Sequence, residues 1–240
     1  MKIQVEKDFF DDLRRRFPPP TAGEIQKRLE RFENSEYGSE ENSLIRLFQG
    51  CPGNTTREDV LLKTTALKSF LHQERLNIAT IVRHILNTPD FDKKLNKGVK
   101  SLVDGIALSS RAKWKYTTFA RYYCGCHKPD VYLIDPPGTS LALLMYDRQD
   151  HFSEETRPRS MSRYSAFARQ FEQFREFYHL QDYSLLDIQH FLYQVATDDV
   201  AEFSKRHPIK RDHRASKNAE IMAFIESWKQ DEDAKNRSNS

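Results

Sequence analysis

The chain has 240 residues, enough to bury a full core in one domain or in two closely packed lobes. Its hydrophobic fraction is low at 38% and its charged fraction high at 30%, but 16 Phe and 10 Tyr restore the apolar area that folding needs. A net charge of +3 is too small to identify a nucleic-acid binder by itself, and 3 cysteines in a chain this long do not suggest a disulfide framework. The N-terminal stretch lacks an apolar leader and no segment approaches membrane-spanning length, so a cytoplasmic protein with no membrane partner is expected.

Only 8 glycines and many long charged side chains favour helices over a turn-rich β architecture. Residues 1–20 read as a short amphipathic N-terminal segment closed by Pro18-Pro19-Pro20. Thr21 caps a helix, with Glu24 placed to complete a capping box and Ile25, Leu29 and Phe32 as its apolar stripe. Residues 34–42 are polar and acidic and read as a loop, followed by a short helix from Ser43 to Gln49. After Cys51-Pro52-Gly53-Asn54, Thr55 or Thr56 caps a helix on which Val60, Leu61, Thr64, Leu67 and Leu71 recur at helical spacing. A helix from Leu76 to Leu86 ends before Pro89, and two short ones flank Gly98.

An aromatic helix is expected over Lys113 to Cys126, then a connection from Lys128-Pro129 to Asp135 and a helix from Gly138 to Tyr146. Residues 148–160 read as loop. Tyr164 to Tyr178 carries Phe167, Phe171, Phe174 and Phe177 on one stripe, and Ser184 caps a helix from Leu186 to Val195. Residues 205–240 hold a basic run from Lys205 to Lys217, including Lys210 and Arg211, and an amphipathic helix around Ile221, Phe224, Ile225 and Trp228. The whole is an all-α protein, read as a single domain over 1–240.

The chemistry concentrates in KWKYTTFARYYCGCHKPDVYLIDPPGTSLALL, residues 113–144. Asp135 stands directly before Pro136, an arrangement that favours an N-cap followed by the first helical residue and puts a carboxylate at the positive end of a helix. A carboxylate fixed there suits stabilisation of a developing cation or the placing of a water. Tyr116, Tyr122 and Tyr123 offer faces for stacking, although helical spacing makes most of them core. Cys124, Cys126 and His127 are spaced as half of a zinc site, and Cys51 is the one cysteine elsewhere, so no metal is expected.

The run from Lys128 to Asp135 resembles, without a gap, the Lys-Pro connection and Pro-Val-Asp helix opening of helix-hairpin-helix DNA glycosylases of the 8-oxoguanine type. The resemblance implies a two-lobed helical bundle that extrudes a nucleotide and cleaves its N-glycosidic bond, with Asp135 as the catalytic carboxylate and no metal or organic cofactor. Where bifunctional members carry a lysine nucleophile this chain has Tyr116, which cannot form a Schiff base, so the resemblance implies a monofunctional enzyme that leaves an abasic site. The hairpin glycines are replaced by Ala112-Lys113-Trp114, leaving Lys113, Trp114 and Lys115 as the expected DNA contacts, the lysines as point charges on phosphate. Gln73, after the helix ending near Leu71, stands where the family's wedge residue lies, with Asn77 beside it; Tyr116, Tyr123 and His127 are the expected base pocket. Lys210 and Arg211 add phosphate contacts from the tail.

The pattern Phe119 to Cys124, His127 to Asp135 and Tyr164 to Tyr178 also resembles a group of bacterial proteins. The expected partner is DNA, duplex with a flipped base or single strand, bound by a monomer; a modified base of phage DNA is one substrate class. Two other functions fit the residues: a nucleic-acid-binding module without chemistry, and a helical protein-interaction component of a defence system.

Overall fold

The computed structural model describes the backbone of residues 17–109, 116–153 and 163–200, and their side chains as far as Asp198. Among these residues there are ten α-helices and no strand, so the all-α expectation holds. The helices are α1 (Ala22–Glu33), α2 (Glu36–Gly50), α3 (Arg57–Phe70), α4 (Ile78–Asn87), α5 (Phe91–Asn96), α6 (Ser101–Ala107), α7 (Thr117–His127), α8 (Thr139–Asp150), α9 (Tyr164–Phe177) and α10 (Leu185–Val195). The last runs into a π-helical turn, Ala196–Val200. The expectations for Lys113, Trp114 and Lys115, for Lys210 and Arg211, and for the helix around Trp228 lie outside the described residues. No described helix is long and apolar enough to cross a membrane.

Several helix starts follow their capping residues. Thr21, Thr56 and Asn77 each accept a hydrogen bond from the amide three residues on. Ser184 and Asp187 form a reciprocal capping box. At Thr21 the box is not closed in this way, because the Glu24 carboxylate accepts from Arg28 Nε at 2.9 Å. Residues 36–42, expected as loop, are the first two turns of α2. Their buried positions are Gly38 and Glu41, so the inward face has no apolar stripe to show. Gly38 is required there: a Cβ would stand 2.1 Å from the Phe32 carbonyl oxygen at the end of α1.

Two helices are central. Every residue of α7 from Phe119 to His127 is buried, against α2, α3 and α6. On α10, Ile188 to Leu192 are all buried, and the helix packs on α1 and α8. The buried apolar side chains form one cluster that runs from Phe17 to Ala196. Leu61 and Phe177, placed on inward stripes by their spacing, are 40% and 48% exposed.

The α8 helix starts later than the Asp-Pro signal implies. Its N-cap is Gly138, at φ 89°, and its first residue is Thr139. Pro136 is itself followed by Pro137, and a residue before proline is pushed out of the helical region, so the helix cannot begin at 136. Residues 128–138 therefore cross from α7 to α8 without regular structure, and Tyr132, Leu133 and Ile134 are buried on the way.

Candidate functional site

Asp135 lies at the end of that crossing with φ 61°, a left-handed conformation uncommon outside glycine. Its Oδ1 accepts from the Ser140 amide at 3.2 Å and from the Ser140 hydroxyl at 2.7 Å. The carboxylate thus caps the first turn of α8 from three residues before the N-cap, and the expected place at the positive end of a helix is reached by a different route. Its Oδ2 pairs with Arg121 Nη1. The Arg121 side chain is 3% exposed and that of Asp135 13%. The guanidinium carbon stands 4.2 Å from the centre of the Phe167 ring, so it meets an anion on one side and an aromatic face on another.

The backbone that carries Asp135 is held by side chains. Leu133 N donates to Tyr164 Oη at 2.8 Å, and Ile134 N and Asp135 N both donate to Gln189 Oε1, at 2.5 and 3.1 Å. Gln189 is fully buried on α10, and its Nε2 donates to the Leu185 carbonyl at 2.9 Å. This fixes the amide orientation, since a flip would turn its NH2 toward two backbone N–H groups.

A second set of expected residues meets at the start of α7. Gln73 and Tyr116 line a cavity of about 460 Å³ together with His72, Glu74, Arg75, Leu76, Thr117 and Thr118. Asn77 N donates to Tyr116 Oη at 3.3 Å, while the Asn77 side chain caps α4. The segment holding Gln73 and Asn77 and the start of α7 at Tyr116 are therefore neighbours. Arg121 follows Thr117 by four positions, so it lies on the same face of α7 one turn further along, and it carries Asp135 with it.

Tyr123 and His127 are placed apart from Tyr116. They are core residues and do not line that cavity with Tyr116. Tyr123 Oη donates to Asn54 Oδ1 at 2.6 Å, and His127 Nε2 is 3.2 Å from the same oxygen. Lys63, fully buried, sends its Nζ to the Cys51 carbonyl at 2.9 Å, the Gly53 carbonyl at 2.6 Å and Asn54 Oδ1 at 2.9 Å, with His127 Nε2 at 3.4 Å. Asn54 Nδ2 and N donate in turn to Asp92, at 2.7 and 3.1 Å. Burial, then the charges of Lys63 and Lys128, lowers the His127 pKa to about 3, so at neutral pH its ring is uncharged and can accept from Lys63. Burial also lowers the Lys63 pKa. Helical geometry explains the separation: Tyr116 stands at the open start of α7, whereas residues 123 and 127 are two and three turns on, inside the bundle.

Tyr122 belongs to a third cluster. Its hydroxyl donates to Glu41 Oε1 at 3.0 Å and is paired with Tyr37 Oη, and the other oxygen of Glu41 is 2.6 Å from His190 Nε2. Glu41 is fully buried, and His190 is stacked on Phe32. Cys124 and Cys126 are buried and their thiols are pushed up by burial. Among the described residues no group of three or more His, Cys, Asp and Glu is placed to hold a metal ion.

Sequence spacing did not single out Arg121, Gln189, Asn54, Lys63 or Glu41. Arg121 leaves one trace, a lone charge inside the uncharged run from Tyr116 to Cys126. The others look like ordinary surface residues of polar helices or loops.

The family model HI_0787_N, described as an N-terminal domain, matches residues 24–131. That span contains Gln73, Asn77, Tyr116 and Arg121 and ends before Asp135 and Gln189. No curated protein and no solved structure matches the chain.

Proposed function

We propose that this protein is a monofunctional DNA glycosylase that extrudes a modified or damaged base, releases it and leaves an abasic site. The observation that carries this reading is the meeting of Gln73 and Tyr116 at one cavity of about 460 Å³, with the Asn77 amide bonded to the Tyr116 hydroxyl. Asp135 is held against Arg121 one turn further along the same helix. In the proposed reaction the bond from the base nitrogen to the sugar C1′ breaks. Its electron pair and a proton go to the departing base, and water adds its oxygen to C1′. Asp135 stabilises the positive charge that grows on the sugar. Tyr116 has no amine, so the sugar is not held as a Schiff base and the strand is not cut. Bases from modified phage DNA are included in the proposed substrate range.

The pairing of Asp135 with Arg121 and Ser140 favours a second reading, a DNA-binding module that keeps the arrangement for stability alone. One experiment separates the two. DNA carrying a panel of damaged and modified bases is treated with wild type and with Asp135→Asn, and alkali-sensitive abasic sites are counted. Sites made by wild type and lost in the variant establish the glycosylase. Binding by both proteins without base release establishes the module, and the absence of both binding and release refutes both readings.

A further inference from the structure

We infer that Gln189 is the positioning residue for Asp135, setting the backbone conformation from which the carboxylate reaches its site. This rests on the role proposed above for Asp135. The connection from α7 to α8 belongs to no sheet or helix, so its amide groups must find partners elsewhere. Three consecutive ones find them in side chains from distant helices: Tyr164 of α9 takes Leu133, and Gln189 of α10 takes both Ile134 and Asp135. Gln189 is fully buried and its own Nε2 is tied back to the Leu185 carbonyl, so its oxygen is a fixed point in the core.

The double acceptance matters for geometry. Two successive amides that share one acceptor oxygen fix the main-chain torsions of the residue between them, Ile134, and the next rotation along the chain is the positive φ of Asp135, at 61°. Ser140 and Arg121 hold the carboxylate, and Gln189 holds the main chain from which it projects. A side chain held at both ends is pre-organised, and its displacement by about 1 Å is the kind of change that costs ~100-fold in a chemical step.

The test uses the full chain with Gln189→Leu and Gln189→Glu. Leucine removes the acceptor oxygen and leaves two buried amides without it, whereas glutamate, held protonated by burial, keeps an acceptor oxygen for them and an O–H for the Leu185 carbonyl. The expected result is a drop of about 100-fold in the rate of base release for Gln189→Leu, with DNA affinity unchanged and substantial recovery in Gln189→Glu. A Leu variant that releases base at the wild-type rate overturns the inference. So does one in which binding and release weaken together while the Glu variant shows no recovery.

Hydrogen exchange at the Ile134 and Asp135 amides supplies a readout independent of activity. Both amides lose protection in Gln189→Leu and keep it in Gln189→Glu if the geometry is set as described. Unchanged exchange in the Leu variant overturns the inference even if the glycosylase reading stands. If wild type releases no base, the role of Asp135 falls, and the exchange measurement alone decides whether Gln189 fixes its conformation. Should the Leu variant fail to fold, Gln189→Met, which also lacks the acceptor oxygen, is read in its place with the same outcomes.

Discussion

Ile134 occupies the space that a side chain at position 125 would need: a Cβ added to Gly125 would lie 2.4 Å from Ile134 Cγ1 and 3.3 Å from its Cα. The crossing segment therefore packs directly on the backbone of α7, and Ile134 shares one side-chain anchor on α10 with the residue that follows it, Asp135.

Gly125→Ala is expected to force Ile134 away from α7. Overpacking of this kind costs about 1–3 kcal/mol, which urea denaturation at neutral pH would measure. Because Asp135 is the next residue, base release should fall along with stability. Loss of stability with full base release would show that the displacement stops at Ile134.

The Asn54 cluster makes a prediction about coupling. Asn54→Leu removes the acceptor shared by Lys63 and Tyr123 and the donor to Asp92, and is expected to cost about 3–5 kcal/mol. Lys63→Met removes the buried cation but leaves the Cys51 and Gly53 carbonyls without it, an expected cost of about 2 kcal/mol. The double variant should be less destabilised than the sum by about 1 kcal/mol or more, because the cation that needed Asn54 is gone. Strict additivity in denaturation measurements would show that the two side chains stabilise the loop independently.

His127 gives the fold an acid-sensitive component. Its pKa is about 3 in the fold and 6.5 for an ordinary histidine, so between these values the unfolded chain binds the proton that the native chain excludes. Stability is retained above pH 6.5 and declines as pH falls from there toward 3, by at most ~1.4 kcal/mol per pH unit from this group. The carboxylates titrate in wild type and variant alike, so the slopes are the quantity to compare. Chemical denaturation of wild type and His127→Gln at pH 7, 6 and 5 should give a steeper decline for wild type. Parallel slopes would show that His127 takes up its proton alike in the folded and the unfolded chain.

The parts of the fold legible in the sequence are those set by local chemistry. Thr21, Thr56 and Ser184 announce their helices because a hydroxyl followed by a free amide three residues on is a short-range interaction. The start of α2 was not legible because its inward face is made by Gly38 and Glu41, and Glu41 is buried only through partners far along the chain, Tyr122 and His190. The start of α8 at Thr139 lies within one residue of the expected Gly138, and the capping role expected for Asp135-Pro136 passes to Gly138 because Pro137 keeps residue 136 out of the helix. The site divides in the same way. Gln73, Asn77 and Tyr116 were named through the family resemblance, whereas Gln189 could not be, because its bonds depend on α10 lying beside a segment more than 50 residues earlier.

An amide ladder in a sheet or helix tolerates almost any side chain, since main chain bonds to main chain. The Leu133 to Asp135 amides are bonded to Tyr164 and Gln189 instead, so the path of this backbone is written in two individual codons. A single base change at either can re-aim Asp135 while the ten described helices stay in place. Divergence of activity among chains that share this bundle is accordingly expected to track positions 164 and 189 before it touches the aspartate.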